Sequence, residues 1–238
     1  MSGDKGLPKG LPHHKLEEAL REQREGCVVC RLVNRTGKRY LESLLYEDVN
    51  DPGVQAGFRE SLGFCSRHAY LMLDVGDGLG TSILYRAATR DLLERLSQMP
   101  DAPKPRASLR TILGGGPSKA EPIVPEPGRG CMVCRAEQSA EETYLRALLN
   151  GAEDGTLERL LEGPGAICVM HLSRTSVLAG GRLPRALVEV TREALRDLED
   201  DLGLYVRHSD HQHRDEPWGK ERDSWKRIVA KMVGPRRQ

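Results

Sequence analysis

One ligand pattern is written twice in this chain and uses every cysteine it has. Cys27-x2-Cys30 is followed after 34 residues by Cys65-x2-His68, and Cys131-x2-Cys134 is followed after 33 residues by Cys168-x2-His171. Each copy offers three thiolates and one imidazole as two short clips, the donor set of a closed tetrahedral zinc site. Read along the chain, the pattern predicts two zinc ions. One is expected on Cys27, Cys30, Cys65 and His68, the other on Cys131, Cys134, Cys168 and His171. Ligands three apart face one ion when the clip forms a turn or the first turn of a helix, and the helix amino end favours thiolate over thiol.

The repeat extends beyond the ligands. With the CxxC clips superposed, Arg31 matches Arg135, and Tyr40-Leu41 with Leu44-Leu45 matches Tyr144-Leu145 with Leu148-Leu149. The offset is 104 residues at the first clip, 103 at the second and 102 at the final Thr89-Arg90 and Thr191-Arg192 pair, so loops have been trimmed while the helical positions are kept. The doublets recur at helical spacing and no convincing alternating strand is found, which predicts an all-α fold of two duplicated helical zinc modules.

Punctuation sets the expected boundaries. Residues 1–14 read as a disordered N-terminus, 15–97 as the first module, 98–130 as a linker, 131–206 as the second module, and 207–238 as a His-rich turn with a C-terminal docking helix. The linker region between Gln98 and Gly130 holds seven of the fourteen prolines and the run Gly114-Gly115-Gly116, too little apolar material for a core of its own. Asp51-Pro52 reads as N-cap and first residue of a helix carrying Val54, Phe58 and Leu62. Gly76 to Gly80 should break the chain before a helix with Leu84, Leu92, Leu93 and Leu96. Gly163-Pro164-Gly165 stands before the second CxxH clip, and Pro184 should open a long helix bearing Leu187, Val190, Leu195, Leu198 and Leu202.

Composition narrows the function classes. The N-terminus lacks an apolar signal core and no stretch approaches the ~20 apolar residues of a membrane span, so a cytoplasmic protein that does not enter membranes is expected. In a reducing compartment the cysteines are metal ligands rather than disulfides. A formal charge of +1 supplies no global field for nucleic acid. A c-type haem is excluded because Arg31 and Arg135 follow the CxxC clips where histidine is required. Each closed site carries a net charge of about −1, and Arg31, Arg67 and Arg135 are candidates to neutralise it.

A second locus stands outside the repeat. Arg207 to Glu216 holds three histidines (His208, His211, His213) and three acids, and both tryptophans of the chain, Trp218 and Trp225, follow it. Such a cluster can hold another metal or a general base. The plainer expectation is a polar turn whose histidines fan into solvent, followed by a helix docking through Trp225, Ile228, Val229 and Met232.

The phrases Cys27-Val28-Val29-Cys30-Arg31 and Gly63-Phe64-Cys65-Ser66-Arg67-His68, the stretch from Tyr40-Leu41 to Tyr46-Glu47, and the ending with Asp210, Glu216 and Asp223-Ser224-Trp225 resemble an uncharacterised bacterial family of duplicated CxxC and CxxH proteins, a domain of unknown function. Ala166-Ile167 departs from the Gly63-Phe64 of the first copy. The resemblance implies a cytoplasmic protein and no particular activity. Coordinatively full zinc sites, with no phosphate loop or nucleophile elbow, lead to the expectation of a non-catalytic binding or regulatory protein with a protein partner. An enzyme using the tail cluster and a zinc-thiolate redox sensor are the alternatives.

Overall fold

The computed structural model describes residues 10–98, 126–157, 161–162, 166–213 and 216–235. Among them are nine α-helices and no strand: α1 (Leu11–Arg21), α2 (Val28–Ser43), α3 (Pro52–Glu60), α4 (Ser66–Val75), α5 (Gly78–Ser97), α6 (Met132–Glu153), α7 (Val169–Leu178), α8 (Arg185–His208) and α9 (Ser224–Val233). A π-helical turn, Leu44–Asp48, extends α2, and two 3-10 turns, His211–His213 and Lys220–Asp223, lie between α8 and α9. The all-α expectation holds. Most of the expected linker, residues 99–125, lies outside the described residues, as does Gly163-Pro164-Gly165.

The chain forms two compact units, one of Met1–Thr36 with Glu137–Gln238 and one of Gly37–Ala136. The divisions fall inside α2 and α6, so each sequence repeat places its CxxC clip in one unit and its CxxH clip in the other. The first unit packs Leu16, Ala19 and Leu20 of α1 against Val28, Val29 and Val33 of α2, Leu145 and Leu148 of α6, and Leu187 of α8. Helix α1 starts earlier than the sequence suggested, at Leu11, with Pro12 in its first turn, where a missing N–H costs nothing. His13 is therefore helical and buried rather than part of a disordered terminus.

The second unit gathers Leu41, Leu44, Leu45, Phe58, Phe64, Met72 and Leu84. The Tyr40 stripe is buried as its spacing required. Asp51 caps α3 by accepting a hydrogen bond from the Val54 N–H at 2.9 Å, and Asp77 caps α5 by accepting from Gly80 N–H at 2.9 Å. Helix α5 buries Leu84 and Ala88, but Leu93 and Leu96 are exposed: its second half leaves the core, so only the first half of the expected apolar stripe is used. Phe58 is fully buried, with Phe64 and Tyr85 edge-on at 4.9 and 5.0 Å.

The C-terminal helix docks by a different set of residues than its apolar pattern suggested. Trp225, Val229 and Met232 are exposed, and of the expected face only Ile228 is half-buried. Helix α9 instead meets α8 and α7 through Arg227, which donates to the buried carboxylate of Asp201 at 2.9 Å, and Lys231, which donates to the Ile167 carbonyl at 3.0 Å. Buried polar groups with satisfied partners orient a helix as firmly as an apolar stripe.

Two substitutions calibrate the second unit. Phe58→Ala should cost about 3–5 kcal/mol through the cavity it leaves, whereas Asp51→Ala should cost about 1 kcal/mol through loss of a cap. Urea unfolding of the metal-loaded protein measures both, and a Phe58→Ala cost no larger than that of Asp51→Ala would contradict the packing described.

Candidate metal centres

All eight sequence-predicted ligands come together in two groups of four, and the grouping is crossed. Cys27 and Cys30 join Cys168 and His171, while Cys65 and His68 join Cys131 and Cys134, the ligand atoms of each group lying within 4.8 Å of one another. The expectation that each repeat would close its own site is corrected here. A helix rises ~1.5 Å per residue. Helix α2 runs 16 residues and α6 runs 22, so each carries the chain on the order of 24–33 Å along its axis before it can turn. In this structure the chain leaving each CxxC clip along its helix meets the CxxH clip of the other repeat.

In the first centre Cys30 sits in the first turn of α2, Cys168 is the extended N-cap residue of α7, and His171 follows one turn inside it. The His171 Nδ1 atom is 3.3 Å from Cys27 Sγ, 3.4 Å from Cys30 Sγ and 3.2 Å from Cys168 Sγ, and the Cys30 and Cys168 sulfurs are 4.0 Å apart. In the second centre Cys65 is the N-cap residue of α4. His68 Nδ1 lies 3.3, 3.5 and 3.3 Å from the sulfurs of Cys65, Cys131 and Cys134, and the Cys65 and Cys134 sulfurs are 3.5 Å apart. A tetrahedral zinc with bonds of ~2.3 Å to sulfur and ~2.0 Å to nitrogen separates its sulfurs by about 3.8 Å and sulfur from nitrogen by about 3.5 Å. Both cradles have the size of one ion with four ligands.

Two glycines let the backbone reach the ligands. A Cβ on Gly128 would stand 2.3 Å from Cys65 Cα, and the Gly128 N–H donates to the Ser61 carbonyl at 2.7 Å while its own carbonyl accepts from Cys131 N–H at 3.0 Å. Its φ of +78° is also one that L side chains rarely adopt. A Cβ on Gly234 would stand 2.6 Å from Cys30 Sγ. The residue ending α9 thus lies directly on the first centre.

The surroundings orient the imidazole of the first centre. His171 Nε2 lies 2.7 Å from Glu141 Oε1, and Glu141 is itself paired with Arg174. A carboxylate on Nε2 selects the tautomer whose Nδ1 lone pair faces the metal. At the second centre Arg67 Nη2 lies 2.8 Å from His68 Nε2. Of the other arginines considered as charge partners, Arg31 donates to the Ala19 carbonyl at 2.8 Å and lies near Glu22, with the Cys27 charge also acting on it. Lys231, which the sequence did not single out, is the unforeseen cation at the first centre. Burial holds its pKa down, against the pull of Cys27 and Cys168. Its position 60 residues beyond the last clip left no local signal.

The donor atoms of each group are close enough to shift one another's ionisation. Burial opposes ionisation of Cys131, but the hydrogen bond with His68 and the backbone amides of Cys134 and Cys65 hold its thiol down at about 6. Burial, then the hydrogen bond with Cys65, pushes the Cys134 thiol up to about 12. Burial disfavours the charged form of His171, yet its bonds with Cys168 and Cys27 push it up to about 10. Cys30 is raised, chiefly by its hydrogen bond with Cys168, and Cys168 is lowered by bonds with Cys27 and Cys30.

The tail cluster has a different geometry. His208 is nearly buried, with Nδ1 3.1 Å from Glu221 and Nε2 3.2 Å from Glu216. His213 Nδ1 lies 2.9 Å from the other Glu216 oxygen, and His211, exposed, pairs with Asp210. The expected fanning of all three histidines into solvent is therefore wrong for His208 and His213, because Glu216 recruits both. Arg214 and Asp215 lie outside the described residues. Among those residues, groups of three or more candidate metal ligands occur only at the two Cys3His centres.

A family model describing a family of unknown function, DUF6062, matches residues 11–238. The chain belongs to that family. A relative described as an uncharacterized 23.9 kDa protein in the xynA 3' region of Caldicellulosiruptor sp. (strain Rt8B.4) is 27% identical over 192 residues, covering 80% of this chain and 81% of the relative. No solved structure matches.

Crossed pairing gives an unambiguous test. Cys27→Ser with Cys168→Ser should remove one ion, because both ligands serve the same centre, whereas Cys27→Ser with Cys65→Ser should remove both. Elemental analysis of the purified variants separates this from pairing within repeats, which predicts the reverse order of losses. The proton inventory gives a second test. A group raised to about 10 or 12 must lose its proton before it can bind metal, so binding releases protons and weakens as pH falls. Metal transfer to a chromogenic chelator should accelerate on acidification below neutrality, and transfer independent of pH would contradict the ligand assignment.

Proposed function

We propose that this chain is a non-catalytic binding or regulatory protein of the cytoplasm, stapled by two zinc ions and acting on a protein partner. The observation carrying this reading is that each centre already offers four ligands within 4.8 Å of one another. Catalytic zinc keeps three protein ligands and one open position. Thiolate with imidazole favours zinc over the hard cations, and a thiolate-rich site persists in a reducing compartment. Among the described residues no helix is long and apolar enough to cross a membrane.

An enzymatic tail is disfavoured by His208, both of whose ring nitrogens face carboxylates and so offer no free base to a substrate. A second reading has one specific observation in its favour. Cys134 of the second centre is exposed while all four ligands of the first are buried, and accessible zinc thiolates are the ones oxidants reach. In that reading, redox sensing belongs to the second centre.

A surface suited to a partner lies in the second unit, where Tyr46, Tyr70, Leu73 and Leu79 are exposed. Of these, Tyr70 and Leu73 stand one turn apart on α4, and neighbouring exposed apolar side chains are a common feature of interaction sites. Tyr70→Glu with Leu73→Glu should abolish retention of a stoichiometric partner by the tagged full-length protein while leaving two zinc ions bound. Retention of the same partner by that variant would defeat the proposed surface, and release of zinc by mild peroxide together with loss of the partner would favour the sensor.

A further inference from the structure

The structure holds a cleft that neither zinc centre explains. It is an open cleft of about 890 Å³ beside the 3-10 turn Lys220–Asp223 and the start of α9, and both tryptophans of the chain line it. Trp218 is 40% exposed and Trp225 49%. Tryptophan normally buries most of its large apolar area, so two half-open indoles in one cleft are a costly arrangement for an unused surface.

The aromatic wall is built in advance. Tyr205 stacks obliquely on Trp218 at 5.1 Å, and His208 meets the same ring edge-on at 5.2 Å. His208 is in turn gripped by Glu221 and Glu216, and Glu221 accepts the Gly219 N–H at 2.6 Å. The histidine and acid cluster of the tail thus braces Trp218.

Charge decides what the wall faces. The lining carries Lys220, Arg222, Lys226 and Arg227 against Glu25 and Asp223. Arg227 is committed to Asp201 and Asp223, and Lys220 lies 3.3 Å from Asp201. Arg222 and Lys226 have no carboxylate partner among the described residues, and Lys226 Nζ stands 5.0 Å from the Trp225 ring centre. A cationic ligand, which an aromatic cage alone would suit, meets net repulsion here. An anion bearing a planar ring meets the half-exposed indoles and two uncommitted cations against one uncommitted carboxylate, Glu25, and the volume falls within the range of small-ligand sites.

We propose that this cleft binds a mononucleotide, its base against Trp218 and Trp225 and its phosphate at Arg222 and Lys226. The proposal deepens the binding role inferred above and rests on it, but uses neither the zinc centres nor the Tyr70 surface. Its failure would therefore leave the partner experiment unaffected.

Because the chain has no other tryptophan, indole emission of the full-length, zinc-loaded protein reads this cleft alone. Titration with AMP or ATP should quench it saturably. Adenosine, lacking phosphate, should bind about tenfold more weakly, and Arg222→Gln with Lys226→Gln should weaken AMP by about tenfold or more, the scale of a lost charge-assisted contact. Inorganic phosphate alone should leave the emission unchanged. Both substituted residues are exposed, and unchanged zinc content and circular dichroism verify the fold of the variant. Lys226→Gln alone serves if the double change perturbs it. Absence of saturable quenching by AMP and ATP, equal affinity for adenosine, or unchanged affinity in the variants would overturn the proposal, as would binding confined to a single-stranded oligonucleotide.

Discussion

The crossed metal clips are the constraint on which the rest of the structure depends. The first centre joins Cys27 to His171, 144 residues away, and the second joins Cys131 to His68, 63 residues away. Closing long loops costs entropy that short-range helical contacts do not repay. A structural zinc contributes on the order of 10 kcal/mol or more on binding, comparable with the whole stability of an ordinary domain. An ion in each centre would supply the long-range closure, so that the first unit can rest largely on leucine and valine and the second on leucine with Phe58 and Phe64.

A closed site of three thiolates and one neutral imidazole leaves about one excess negative charge in a low-dielectric setting. The protein meets it differently at its two centres. At the first, Lys231 arrives on the last helix and places a half-buried amine near Cys27 and Cys168, while Gly234 lies against Cys30. The C-terminal helix is consequently part of the first metal environment as well as an addition to the core. At the second, Cys134 is exposed, and its excess charge is open to solvent. One centre is thereby shielded and the other accessible, although their ligand sets are identical.

The docking of α9 shows how polar anchors free an apolar face. Arg227 on Asp201 and Lys231 on the Ile167 carbonyl hold the helix, so Trp225, Val229 and Met232 are left facing outward. The same economy appears at Trp218, whose position is set by a histidine held between two glutamates. Residues that look like a metal or catalytic cluster in one dimension serve here to aim an aromatic ring.

Much of this was legible from residue order because it is local. Helical periodicity, the Asp51-Pro52 cap and the CxxC and CxxH clips each depend on neighbours within one or two turns, and they identified an all-α fold and the eight Cys and His residues that the structure gathers into two groups of four. Which clip meets which was not legible. Two near-identical repeats present the same donors at the same spacings, so parallel and crossed pairings are indistinguishable in the pattern, and only the tertiary packing of the helices shows which is adopted. The apolar stripe of α9 misled for a related reason: amphipathic spacing says that a helix has a face, and the partners offered by α7 and α8 decide whether that face is turned inward. Lys231 and Gly234 reach the first centre through space from the chain's end, and no local rule connects them to Cys30.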